Sequence, residues 1–253
     1  FGEDDVVRTD VPATVTVDEA EMKAIKGHRR RDLITQIVPV DYDKDADCPQ
    51  WRAFMLQMLP VEKVRRMVQV ASGLGLLGIT VQKLFFHYGA GANGKSVYME
   101  TMCRLLGEAA VTLPASSFIG EGASAGQATP DIARLYGRRF LRVKELPEGE
   151  ELRENFVKEA TGGEALSARD LFLGYFDFEP LFTAHMSGNG FPRINGTDEG
   201  IWRRMAVVHW PVQVPVAERL PFEEMVARFQ PEYPGILNWL IDGALTYLRD
   251  GLF

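Results

Sequence analysis

Apolar residues recur at helical spacing at Trp51, Phe54, Met55, Met58 and Leu59, and Pro60 breaks the run. A second stripe, Val64, Met67, Val68, Ala71 and Leu74, predicts another helix from Val61, with Gly73, Gly75 and Gly78 expected to end it. Past residue 80 the pattern changes. The solid apolar run Leu84-Phe85-Phe86-His87-Tyr88 predicts a buried strand, and 96–106 predicts a helix after it. A β-prone run at 110–114, a Gly/Ala/Ser loop at 120–126, a short helix at 130–135 and a strand at 139–144 follow. Further strands are expected at 181–187 and 206–210. Such alternation predicts an α/β fold with a central, mostly parallel sheet and helices on both faces. The implied layout is an extension or linker over 1–46, a helical subdomain over 47–80, a core over 81–215 and a C-terminal helical segment over 216–253.

Composition narrows the class only modestly. The 253 residues are 46% hydrophobic and 25% charged, as in a soluble globular protein. No apolar stretch is long enough to span a membrane. The chain begins Phe1-Gly2-Glu3-Asp4-Asp5 without a signal-peptide pattern, and its last residues follow a helix without a stop, so a piece of a longer polypeptide is expected. The net charge of −7 argues against a surface coated for duplex binding, though a ring needs basic groups only where a strand threads it. One basic cluster, Lys26-Gly27-His28-Arg29-Arg30-Arg31, can touch nucleic acid; a solvated helix face is the preferred reading. Cys48 and Cys103, and the four histidines, lack metal-ligand spacing. Buried thiols in a reducing compartment are expected, and His87, His185 and His209 read as packed strand residues.

The chemistry concentrates at Gly89-Ala90-Gly91-Ala92-Asn93-Gly94-Lys95-Ser96, which fits the phosphate-loop pattern G-x-x-x-x-G-K-[ST] between a strand and a helix. Its glycines let backbone N–H groups face a polyphosphate, and the helix N-terminus from Lys95 through Val97 adds its dipole. Lys95 suits the β- and γ-phosphates, and the Ser96 hydroxyl suits Mg²⁺. Glu145 closes the strand at 140–144, where a carboxylate can orient water and help hold the metal. Asn189 follows the strand at 181–187, where an amide can bond a γ-phosphate or a water. Arg203 and Arg204 precede the last strand. They can form a salt-bridged turn or reach a neighbouring subunit's γ-phosphate.

The order of these motifs, with Val157-Lys158-Glu159-Ala160-Thr161-Gly162-Gly163-Glu164-Ala165-Leu166-Ser167-Ala168-Arg169, Gly188-Asn189-Gly190-Phe191-Pro192-Arg193-Ile194 and Gly200-Ile201-Trp202-Arg203-Arg204, resembles the superfamily 3 helicases of small DNA viruses, phages and plasmids. The likeness is strongest to the C-terminal helicase domain of phage and plasmid primase-helicases, related to the poxvirus primase-helicase, and runs from about residue 35 to the end. It implies an AAA+-type P-loop NTPase core with a β-hairpin insertion, assembled as a hexameric ring that binds ATP and Mg²⁺ between subunits. It implies Glu145 as the water-polarising carboxylate, Asn189 as sensor and Arg204 as arginine finger, with Arg203 the substitute. The stretch 165–180 resembles the family's channel hairpin, with Arg169 and Lys158 near it. Phe172, Tyr175 and Phe176 there can stack on single-stranded DNA or simply pack the hairpin. Two departures stand out: Lys144 precedes Glu145 where many relatives carry two acids, and 173–175 lacks a lysine.

The expectation is an ATP-dependent DNA helicase module of a phage, plasmid or other mobile-element replication protein. It would work in the host cytoplasm on DNA, with a primase or polymerase domain on the same or a neighbouring polypeptide. An ATP-gated loading platform with little unwinding, and a P-loop kinase, are the competing readings.

Overall fold

The computed structural model describes residues 36–120, 128–171, 174–196 and 199–252 in full, with the backbone of four short strands before them. Those strands are β1 (Val6–Val7) paired antiparallel with β4 (His28–Arg29), and β2 (Thr14–Asp18) paired antiparallel with β3 (Glu21–Ile25). The helix face expected for the basic cluster is therefore not what forms at His28 and Arg29. The β-branched alternation Thr14-Val15-Thr16-Val17 is the signal that favours strand in this region. Lys26, Gly27, Arg30 and Arg31 lie outside the described residues.

Helix α1 (Pro49–Met58) opens with proline in its first turn, where no backbone donor is lost. Its cap comes from far away. The Glu232 carboxylate accepts the backbone N–H groups of Gln50 at 3.0 Å and Trp51 at 2.9 Å, joining a negative charge to the positive end of the helix. Helix α2 (Glu62–Leu77) ends at Gly78, whose φ of 64° is the left-handed stop. Gly73 and Gly75 do not end it; they lie inside it. A Cβ on Gly73 would stand 2.4 Å from the Ala244 nitrogen and 2.5 Å from the Leu240 oxygen of α8 (Tyr233–Asp250). Gly243 approaches the Gln69 carbonyl just as closely. These glycines trade helix propensity for backbone contact between α2 and α8.

The core sheet holds β5 (Leu84–Tyr88), β6 (Ala110–Leu113), β7 (Phe140–Leu146), β10 (Thr183–Gly188) and β11 (Met205–His209). All neighbours are parallel, in the order β11-β5-β10-β7-β6. On one face Phe85, Phe140 and Val208 pack with α1, α2, α8 and α3 (Lys95–Leu106). On the other, Leu84, Phe86, Leu141, Val143 and Met186 pack with α5 (Glu154–Gly162) and the antiparallel hairpin of β8 (Leu166–Arg169) and β9 (Tyr175–Phe178). Every residue of β10 is buried, in keeping with its mostly apolar or small side chains; the exception, His185, is buried as well. Short helices α4 (Pro130–Ala133), α6 (Glu199–Trp202) and α7 (Phe222–Ala227) complete the chain. The architecture is the α/β, P-loop NTPase type that the pattern predicts, with a mostly parallel sheet and a hairpin insertion. Among the described residues no helix is long and apolar enough to cross a membrane.

The buried glycine crossing makes a sign prediction. Gly to Ala inside a helix ordinarily gains up to about 1 kcal/mol. Gly73→Ala is expected instead to destabilise by roughly 1–3 kcal/mol, because backbone must move to admit the methyl. Urea denaturation of the two proteins measures the difference.

Candidate nucleotide site

Parallel strands place their carboxyl ends along one edge of the sheet, and three predicted motifs meet there. The phosphate loop leaves β5, Asn189 follows β10 and Glu145 lies near the end of β7. Because β10 runs between β5 and β7, Asn189 stands between the loop and the acid.

The loop has the backbone that its glycines suggest. Gly91 and Gly94 have φ of 87° and 83°, and Ala92 is also left-handed at 48°. Holding an alanine there costs of order 1 kcal/mol, and the Ala92 carbonyl is pinned by the Val214 N–H at 2.8 Å. A Cβ on Gly94 would press against Phe54 and Met58 of α1 at 2.9 Å, whereas one on Gly91 would meet nothing within 4 Å. So the loop is wedged from behind and open in front. No side chain caps α3, so its first N–H groups remain available to an anion. Ala90 and Ser96 are exposed beside it.

Lys95 is buried. Its amine donates to the Gly89 carbonyl at 2.6 Å, the Asn93 Oδ1 at 3.1 Å and the Asn189 Oδ1 at 3.1 Å. All three acceptors are neutral. Burial lowers the amine's pKa from the ordinary lysine value, and the nearby Glu145 carboxylate partly offsets this. Asn189 uses its other end as a donor, from Nδ2 to Glu145 Oε1. Loop lysine, strand-end amide and strand-end acid thus form one chain, Lys95–Asn189–Glu145. Among the described residues no group of three or more His, Cys, Asp and Glu is placed to hold a metal. Ser96 and Glu145 fit Mg²⁺ only in company with phosphate oxygens, which is how this ion is commonly held.

Beneath the loop runs a second polar line. The Trp210 indole N–H, which can only donate, bonds His87 Nδ1 at 3.0 Å. In a neutral ring the His87 proton then sits on Nε2 and points at His185 Nδ1, 3.1 Å away. His185 carries its own proton on Nε2, which is buried without a well-aligned acceptor among the described residues. Burial pushes His87 well below the usual histidine range, with His185 and Lys95 adding repulsion. Burial pushes His185 down to about 3.

The arginines lie elsewhere. They precede β11, so they sit at the amino edge of the sheet, one five-residue strand or roughly 17 Å from their own chain's loop. Arg204 is buried, with Nη1 on the Gly200 carbonyl at 2.7 Å and Nε without a partner among the described residues. Arg203 is exposed. The hairpin is tied down by Thr129, which exchanges hydrogen bonds with the Arg169 backbone. At its end the Arg169 guanidinium lies 5.5 Å over the exposed ring of Tyr175. Phe176 instead packs edge-on against Tyr136 and stacks on Phe178, so it serves the hairpin's own packing. Lys158 is half-buried on α5, and Phe172 lies outside the described residues. The support that Phe54, Met58 and Val214 give the loop, and the Trp210–His87–His185 hydrogen-bond line, escaped the sequence reading, although His87 and His185 are the packed strand residues expected. Each acts across a long chain separation, with no local signature.

The family model described as D5 N terminal like matches residues 13–60. "Putative helicase 022R" of Frog virus 3 (isolate Goorha) is 32% identical over 161 residues, covering 62% of this chain and 16% of that protein. "Putative helicase L207/L206" of Acanthamoeba polyphaga mimivirus is 28% identical over 178 residues, covering 70% of this chain and 18% of that protein. The chain spans less than a fifth of either relative. Among solved structures, the apo structure of the NrS-1 C terminal region (305-718) superposes with a TM-score of 0.63 at 12% identity. That match covers 91% of this chain and 54% of the other. At so low an identity it shows the fold alone. The family match and the two viral relatives support a D5-like primase-helicase region.

The histidine pair sets a pH dependence. Both rings have folded pKa values below the ordinary value near 6.5, so the unfolded chain binds more protons in acid. Their contribution is complete above pH 6.5 and is lost as pH falls from there towards 3. Moving from pH 7 to pH 5 is expected to cost about 2 kcal/mol through His185, with His87 adding a loss of the same sign. His185→Asn keeps an acceptor for His87 but cannot titrate, so its stability measured against pH should fall less steeply than that of the wild type.

Proposed function

We propose that the chain is an ATP-driven DNA helicase module of a phage, plasmid or other mobile-element replication protein. The carrying observation is the Lys95–Asn189–Glu145 chain at the mouth of the phosphate loop. Similarity to two viral proteins named as helicases, and the D5-type stretch, support a helicase-like replication protein.

In this reading the N–H groups from Gly89 to Val97 bind the phosphates of ATP. Lys95 exchanges a neutral carbonyl for a phosphate oxygen, which supplies the counter-charge its buried amine lacks. Ser96 and Glu145 would hold Mg²⁺, which would supply neutralisation of phosphate charge there. Glu145 orients the attacking water and takes up its proton. Asn189 holds the Glu145 carboxylate in place and senses the γ-phosphate through the amide that now touches Lys95. Arg204, or Arg203 in its place, comes from a second copy and offsets charge developing in the transition state. Six copies close into a ring in the host cytoplasm. Arg169 and Tyr175 at the hairpin end, with Phe172 and Lys158, grip single-stranded DNA in the channel, Tyr175 by stacking. A primase or polymerase domain acts beside it.

Lys95→Ala is expected to abolish ATP hydrolysis. Arg204→Ala should bind ATP normally and turn over about 10³–10⁵ times more slowly. Mixing the two inactive proteins should restore partial activity, since one donates an intact loop and the other an intact arginine. Full turnover by Arg204→Ala and Arg203→Ala alike would remove the shared-site reading. Stimulation of hydrolysis by single-stranded DNA, and unwinding of a forked duplex, separate a helicase from a kinase or a loading platform.

A further inference from the structure

Strand β7 is irregular at its carboxyl end. Met186 of β10 pairs with Val143 and Gly188 with Leu146, so the single residue Ser187 faces two residues, Lys144 and Glu145. Two residues against one make a β-bulge, an irregularity that re-aims side chains and is common beside active sites. Its effect is read from the neighbours. Phe140 belongs to the core on the α3 side of the sheet, whereas Leu141, Val143 and Leu146 belong to the core on the hairpin side. Strict alternation would send Glu145 to the hairpin side with Leu141 and Val143. The extra residue instead puts Lys144 and Glu145 next to one another on the α3 side and returns Leu146 to the apolar side.

Helix α3 crosses that side of the sheet from β5 toward β6, passing over β7. Arg142 Nη1 donates to Glu100 Oε2 at 2.5 Å, which fixes the level of the helix against the strand. Ser96 lies one helical turn, about 6 Å, nearer the phosphate loop than Glu100. Lys144 lies two strand residues, about 7 Å, nearer the carboxyl edge than Arg142. Equal climbs along helix and strand bring Lys144 to the level of Ser96, at the edge where Glu145 also stands. The Glu100 carboxylate below is already engaged by Arg142 and by Arg104, the latter at 2.9 Å. Lys144 is exposed, and among the described residues its ammonium has no partner. Lys95, Lys144 and Glu145 together give the mouth of the loop two positive charges and one negative.

That balance suits a polyphosphate better than a bare divalent cation. Mg²⁺ is held through carboxylates and phosphate oxygens, and an ammonium beside Glu145 repels it. The same ammonium can donate charge-assisted hydrogen bonds to a phosphate. We propose that Lys144 is a second phosphate-binding lysine, set in place by the β7 bulge, which contacts the triphosphate directly and lets the site hold it without Mg²⁺. The proposal rests on the reading of the loop given above. Lys144 and Mg²⁺ neutralise the same phosphate charge, so the lysine matters most when the metal is absent.

Isothermal titration of the whole chain with ATP, run once in EDTA and once in excess Mg²⁺, tests this. The wild type should bind ATP measurably in both solutions. Lys144→Gln should weaken ATP about tenfold in EDTA, the usual effect of losing one charged hydrogen bond, and less than about threefold in Mg²⁺. Lys144→Arg keeps the cation and should bind in EDTA within about threefold of the wild type. A merely structural role would lower affinity equally in both solutions. Equal losses of that kind, wild-type affinity of Lys144→Gln in EDTA, no better retention by Lys144→Arg than by Lys144→Gln, or no wild-type binding in EDTA would each overturn the role of Lys144. Wild-type binding in Mg²⁺ that is lost in Lys95→Ala would still leave the loop reading standing. Undiminished ATP binding by Lys95→Ala, or no wild-type binding in either solution, would overturn the loop reading itself.

Discussion

The Lys95 ammonium is buried among neutral oxygens, and the site is organised around that fact. A buried charge costs several kcal/mol unless polar groups replace its water. Here Gly89, Asn93 and Asn189 supply oxygens, but among the described residues no carboxylate touches the amine directly. Glu145 is held one amide away, through Asn189. Direct contact would make a charge-assisted pair that any incoming phosphate would have to break. With an amide as spacer, lysine and acid remain coupled while the lysine's charge stays uncommitted. The same spacer gives Asn189 two partners, its Oδ1 accepting from Lys95 and its Nδ2 donating to Glu145.

This arrangement needs the strand order. If β7 lay directly beside β5, acid and loop would abut and no amide could stand between them. The insertion of β10 moves Glu145 one strand outward, roughly 5 Å. It also brings His185 beside His87 under the loop. That pair sits in a region where a second positive charge would repel Lys95, and the Trp210 N–H blocks the one nitrogen of His87 free to accept a proton. The floor is polar enough to bond across β11, β5 and β10, yet it stays uncharged. Support from behind comes through α1, whose Phe54 and Met58 fill the space that any side chain at position 94 would need. Glu232 then ties the start of α1 to the start of α8, so the C-terminal helices brace the loop indirectly.

Much of this was legible locally. Strand β5, the loop and α3 are contiguous, and their pattern names their role without reference to anything distant. Strands β6, β7, β10 and β11 announced themselves as short apolar runs, and Glu145 and Asn189 by standing at their ends. What stayed hidden was pairing. Nothing in residues 181–187 says that this strand inserts beside β5, because order in a parallel sheet is set by crossover packing far from the strand itself. Gly73 and Gly75 misled for a related reason. A glycine inside a helix and one that stops it look alike until the neighbour is known, and the neighbour of Gly73 is 170 residues away in α8. Alternation left Phe176 open between base stacking and hairpin packing, and Tyr136, in the turn after α4, settles it by claiming the ring.

The arginines give the last constraint. Strand β11 is parallel to β5, so residues before it must lie at the edge opposite the loop, and no rotamer carries Arg203 or Arg204 round the sheet to Lys95 of the same chain. Arg204 nonetheless buries a cation whose recorded partner is a single carbonyl, leaving Nε unmatched among the described residues. A lone buried guanidinium is costly to keep unless an anion meets it at some stage of the working cycle. In the proposed assembly that anion is the neighbour's triphosphate. One copy then offers its carboxyl edge and the next its amino edge, two different surfaces of one chain. Contacts of that kind are head-to-tail, and they end only when the rotation from copy to copy closes a ring. In that proposed assembly a phosphate site completed from outside and an arginine with no carboxylate partner among the described residues would be two halves of a single requirement.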